Sequence, residues 1–112
     1  MNIVGYTEEE TSLSTISVLM VEPSKRPSIV SIENDLKTFE EIVNGPLDMQ
    51  PFYRSPFKIV CNVDNGYELT YGKKKPRDSF FIVKHDGQFE GIDRTEAEEV
   101  RDVLKEKMKK WK

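Results

Sequence analysis

Lys73, Lys74, Lys75 and Arg77 fall within five consecutive positions of the stretch "TYGKKKPRDSFF", residues 70–81, in a chain of 112 residues with a formal charge of -3. Cations this close together can grip phosphate, meet an acidic protein surface, or keep a loop in water. Together with Tyr71 they form the candidate partner-binding set of this sequence. Gly72-Lys73 does not make a nucleotide cradle, because the glycine-rich approach is missing and Lys74 stands where Ser or Thr is required. Nucleic acid is the alternative partner. Eleven of the seventeen basic residues lie in 73–77 or from Arg94 onward, with Tyr71 and Trp111 as stacking candidates. Against that reading, Glu96, Glu98, Glu99, Asp102 and Glu106 share the last segment. The sequence pI is 5.3, and the phosphate interaction needs clustered, uncompensated charge.

Other chemistries have less to work with. His85 is the only histidine, so any Ser-His or Cys-His pair must use it. It stands directly before Asp86-Gly87 in a predicted turn, where it is expected to be exposed and without an orienting group. Cys61 lies in an apolar run, where a cysteine acts as a small hydrophobe and nothing nearby in sequence lowers its pKa. Asn62, Asp64, Gly66 and Glu68 alternate like calcium ligands. The glycine of such a loop belongs at its sixth position, which here is Tyr67, and the acidic twelfth is replaced by Lys73. Asp93, Glu96, Glu98 and Glu99 read as favourable charge at a helix N-terminus, and the ligands of a zinc site are missing. No catalytic, metal or cofactor residue is assigned, and a non-enzymatic protein is expected.

The elements that must position these residues follow from periodicity. The first fourteen residues, with Glu8-Glu9-Glu10, read as a flexible arm, and residues 15–112 as one domain. "TISVLMVEP" and "SIVSIEN" read as two strands joined by the turn "SKRP", a first hairpin. "NDLKTFEEIVNGP" reads as a helix: Asn34 or Asp35 caps it, and Leu36, Phe39, Ile42 and Val43 share a face. Gly45 takes the left-handed position and Pro46 blocks continuation. "LDMQPFY" and "FKIVCNV" follow as strands around "RSP". Asp64-Asn65-Gly66 signals a reversal into a strand "YELTY", and "SFFIVK" turns at His85-Asp86-Gly87 into "QFEGI". A last helix starts with Thr95 and Glu98 as a capping box. Its stripe is Ala97, Val100, Leu104, Met108 and Trp111, and lysines crowd its C-terminal end.

Several stretches together resemble a family of bacteria and phages known as domain of unknown function 3846. The opening "VLMVEPSKRPSIVSIENDLKTFEEIVNGPLDMQPF" resembles its strand ending in Val-Glu-Pro, basic turn, second strand, helix and Gly turn. "IVCNVDNG" is similar to its Ile-Cys-Asn-Glu-x-Gly stretch, and "SFFIVKHDGQFEGIDRTEAEEV" to its Phe-Phe-Ile-Val strand, turn and helix start. The resemblance covers about residues 16 to 104 and departs at "YELTYGKKKPRD", which is compact here where the family has a longer segment. It implies a setting of phages, plasmids and Gram-positive hosts, and it transfers no catalytic residue.

The expected fold is therefore α+β, a mainly antiparallel sheet of five to seven strands with two helices covering one face. Residues 1–53 carry nine acidic and three basic side chains, and residues 54–112 eleven acidic and fourteen basic, so the surface is electrically two-sided. A single cysteine excludes an intrachain disulfide. With no apolar run of membrane length and no signal-like start, the cytoplasm is expected, without a membrane partner. The expected function is a non-enzymatic module of a phage or mobile element that binds a host or phage protein, as an inhibitor of a host defence or other host factor. The alternative is a nucleic-acid-associated accessory protein using residues 73–77 and the C-terminal helix. Loop charges of this kind change stability by less than about 0.5 kcal/mol but alter association with an acidic partner. Replacing Lys73, Lys74 and Lys75 together by Glu should leave the melting temperature unchanged and weaken partner binding. Equal binding by the folded variant would make the loop a solvated connection only.

Overall fold

Phe80, Phe81, Ile82 and Val83 are consecutive and each is at most 1% exposed. An extended chain points successive side chains to opposite faces of its sheet, so this strand must be covered on both. In the computed structural model, which describes residues 14–66, 69 and 76–111, it lies inside a six-stranded sheet. The strands are β1 (Thr15–Val21), β2 (Ser28–Glu33), β3 (Leu47–Pro51), β4 (Phe57–Asn62), β5 (Phe80–His85) and β6 (Phe89–Glu90). Every pairing is antiparallel, in the order β2-β1-β5-β4-β3, with β6 on the far end of β5. The α+β class read from the sequence holds.

The helices do not cover one face together, as the sequence reading expected; they take opposite faces. Helix α1 (Leu36–Val43) packs Phe39 and Val43 against Val18, Met20, Val60, Phe81 and Val83. Helix α2 (Arg94–Met108) packs Ala97, Val100 and Leu104 against the alternate residues of the same strands, among them Leu19, Val21, Ile59 and Ile82. The cause is in β1 and β5 themselves, whose uninterrupted apolar runs present hydrocarbon to both sides. Phe39 anchors α1 with edge-on contacts to Phe81 and Phe89, at centroid distances of 5.1 and 5.0 Å. Leu36, placed on the same stripe by periodicity, is 58% exposed.

The helix ends differ in detail from the sequence reading. Asp35 caps α1, accepting from the Lys37 amide, while Asn44 rather than Gly45 takes the left-handed C-terminal position, with φ 66°. Gly45 still requires its glycine, since its φ is +154° and a Cβ would stand 2.7 Å from Asn62 Nδ2. The capping box of α2 is Asp93 with Glu96, not Thr95 with Glu98. Glu96 accepts from the Asp93 amide through Oε1 and from Lys84 Nζ through Oε2, at 2.9 and 3.1 Å. That carboxylate ties the start of α2 to β5.

The hairpin expected at Asp64-Asn65-Gly66 is absent. Val63–Asn65 form a short 3-10 helix, and Gly66 has ordinary helical angles, φ -59° and ψ -43°. Asn62 explains the change: its side chain accepts from the Asp64 amide at 2.8 Å and donates to the carbonyls of Val43 and Asn44. Both edges of β4 are already paired, to β3 and β5, so no further strand can add there. Leu69 is buried with helical backbone, and the rest of "YELTY" lies outside the described residues. After β6 the chain runs against β1, the Ile92 amide donating to Ser17 O at 2.9 Å. A Cβ on Gly91 would meet Ser17 N at 2.9 Å.

These burials order the cost of truncation. Leu104→Ala, at a site with no exposure, should destabilise by about 2–5 kcal/mol, and Phe39→Ala by about 3–5 kcal/mol. Leu36→Ala should stay within about 0.5 kcal/mol. Urea melts read all three, and a Leu36 variant as costly as Leu104→Ala would contradict the two-sided packing.

Candidate functional site

The turn between β1 and β2 is short and stiff. Pro23 occupies its second position, Ser24 its third with φ 65°, and the Lys25 amide donates to Glu22 O at 3.1 Å. That is a type II turn, whose third position normally takes Gly, and a serine held there stores backbone strain. With Pro27 following, the turn projects Lys25 and Arg26 toward the C-terminal half of α2. Arg101 and Lys105 on that helix and Lys109 at its C-cap stand four residues apart, one above the next along a single side. Between turn and helix runs a groove of about 750 Å³, lined by these five cations and Met108 and by no carboxylate.

Little neutralises this charge. Lys25 pairs with Glu22 at 3.6 Å and Lys109 with Glu106 at 3.2 Å, both well exposed and therefore weakly held. Arg26, Arg101 and Lys105 have no ion-pair partner among the described residues. The Arg101 Nε is buried without a hydrogen-bond partner there. Burial, and then the neighbouring Lys110, push the Lys107 ammonium below its usual pKa on the same helix end. Sharing Ser24, Lys25 and Met108 with the groove is a smaller pocket of about 290 Å³, whose walls include Pro23, Pro76, Phe80 and Trp111.

Of the residues singled out in the sequence, Arg77 is exposed beside this pocket's Pro76 and Asp78. Lys73, Lys74, Lys75 and Tyr71 lie outside the described residues. The described chain that follows them is well held, because Asp78 accepts from Asn44 Nδ2 at 3.3 Å and Asn65 Nδ2 at 3.0 Å. Pro76 and Asp78 therefore meet the end of the last helix at one pocket. Trp111, a stacking candidate in the sequence, is buried against Phe80 with a centroid distance of 6.2 Å and presents no open ring. Sequence reasoning missed Lys25 and Arg26. Their signal was a basic pair between two prolines, which forces a stiff and exposed turn.

Other polar clusters join elements of the fold. Arg54 forks onto Glu99 at 3.0 Å, and the Tyr53 hydroxyl donates to the same carboxylate at 2.7 Å. The tyrosine bond and then the guanidinium hold Glu99 below the usual carboxylate range. This cluster clasps the β3–β4 loop to α2. His85 is half-buried rather than exposed, its ring 4.6 Å from that of Phe89. Phe89 packs on the α1 side of the sheet and Cys61 on the α2 side, so histidine and cysteine cannot form a catalytic pair. No cluster of three metal-ligating side chains occurs among the described residues. Comparison with family models, curated proteins and solved structures finds no match to this chain.

Burial and then the Asp48 carboxylate push the Cys61 thiol up to about 12. Native protein should therefore react slowly with a thiol reagent and denatured protein quickly. An acid whose folded pKa is raised stabilises fully below its unfolded pKa and loses that contribution as pH rises through the folded value. The stability advantage of the wild type over Cys61→Ala should shrink from about pH 9 toward pH 12. Rapid native labelling, or a gap that widens with pH, would contradict this placement.

Proposed function

We propose that this protein is a non-enzymatic binding module that receives an acidic segment of another protein in the groove between the β1–β2 turn and α2. One observation carries the reading: five cationic side chains line the groove with no carboxylate, on a chain whose net charge is -3. Self-repulsion holds those cations apart until an anionic partner arrives, and charges so placed govern encounter rate and partner choice. The positions of Cys61 and His85 on opposite faces support a role without covalent chemistry. No helix among the described residues is long and apolar enough to cross a membrane. The resemblance to domain of unknown function 3846 supplies the context of a phage or mobile element, with a host or phage protein as partner and inhibition of a host defence or other host factor as the outcome. The cytoplasm is where this reading places it.

Nucleic acid is the second reading, favoured by Arg26, Arg101 and Lys105, which have no ion-pair partner among the described residues. It is weakened by the burial of Trp111, since single-stranded binding draws on open aromatic platforms. The test is titration of a labelled oligoglutamate peptide and a mixed oligonucleotide into the wild type and into Arg101→Glu/Lys105→Glu, across salt. The wild type should bind the acidic peptide with salt-dependent association, and the folded variant should lose at least tenfold in affinity. Tight oligonucleotide binding with a steep salt slope and no peptide binding would favour the second reading.

A further inference from the structure

Resting on that reading, we infer that the occupant is an extended run of about five acidic residues ended by one apolar side chain, which enters the pocket beside Trp111. Three dimensions of the site point to this ligand. A helix rises 1.5 Å per residue, so Arg101, Lys105 and Lys109 stand about 6 Å apart over a row of about 12 Å. An extended chain repeats a side chain on one face every 6.6–6.8 Å or so and spans about 13 Å in five residues. Its first, third and fifth carboxylates therefore match the helix row.

The groove also has a second cationic wall, Lys25 and Arg26 on the turn. The second and fourth side chains of a strand point to the opposite face, toward that wall. A helical ligand turns one stripe to one wall and leaves the other cations without partners. Five cations in two rows of three and two thus fit a contiguous acidic strand.

The apolar end follows from continuity. The groove opens into the pocket of about 290 Å³ through Ser24, Lys25 and Met108, where Pro23, Phe80 and Trp111 offer apolar walls and the carboxylates of Glu22 and Asp78 oppose any further acidic side chain. The Trp111 indole N–H is buried and has no hydrogen-bond partner among the described residues.

The experiment uses the full chain and three labelled peptides: five Glu then Leu, five Glu then Ser, and five Glu spaced by Gly-Ser pairs then Leu. Affinity is read by anisotropy and site occupancy by emission of Trp111, the one tryptophan of the chain. The Leu-ended contiguous peptide should bind about tenfold or more tighter than the Ser-ended one, from burial of the leucine, and it alone should shift the tryptophan emission. Met108→Ser should narrow that ratio to below about threefold. Equal affinity of the first two peptides would overturn the apolar anchor and leave the acidic groove standing. Equal affinity of the spaced peptide would overturn the contiguous strand. Binding by none of them overturns the groove reading itself.

Discussion

The double-sided burial of β5 is the constraint on which the rest depends. A strand with Phe80 and Ile82 on one face and Phe81 and Val83 on the other, all essentially unexposed, cannot lie at an edge or face water. It needs neighbours on both flanks, which β1 and β4 supply, and a cover on each face. Of the two helices whose full ranges are described, one goes to each side. At roughly 1.5–3 kcal/mol per buried large apolar side chain, these four residues outweigh any single polar contact in the molecule.

The covers are unequal, and the inequality creates the site. Helix α1 has eight residues, of which only Phe39 and Val43 are fully buried. Helix α2 has fifteen, fastened at its start by the Asp93–Glu96 box and the Lys84 bridge. Its fully buried residues Ala97, Val100 and Leu104 end before its last turn, which keeps Met108 against the core and carries lysines on its open side. There it meets the β1–β2 turn, held by Pro23 and Pro27. A groove between a long helix and a stiff turn is what remains when the core is covered, and its charge comes from side chains with no core to fill.

Polar seams hold the parts that hydrocarbon does not. Asn62 is buried but fully used, serving the end of α1 and the start of the 3-10 helix together. Asp78 ties the segment before β5 to Asn44 and Asn65. Such side-chain bonds to free backbone groups stop a segment from continuing its regular structure. That is why the Asn-Gly pair after β4 coils instead of turning back as a hairpin.

The sequence by itself determined the strand and helix segments wherever an apolar period ran uninterrupted. β1, β2, α1, β5 and the stripe of α2 are all legible in it, as is the antiparallel α+β class. It also held the evidence for two covers, in the unbroken runs Val18–Val21 and Phe80–Val83, because residues at a period of two cannot all be apolar unless both faces are buried. What it could not determine was which capping residue wins among several candidates, since Asp93 and Thr95 are both acceptable caps and the register of α2 against Lys84 chooses. Nor could it bring Lys25 and Arg26 opposite Arg101, Lys105 and Lys109, about eighty residues further along. Charged side chains carry no periodic signal of their own. Their neighbours are decided by where the buried hydrocarbon leaves the ends of the elements, and that is a property of the tertiary structure alone.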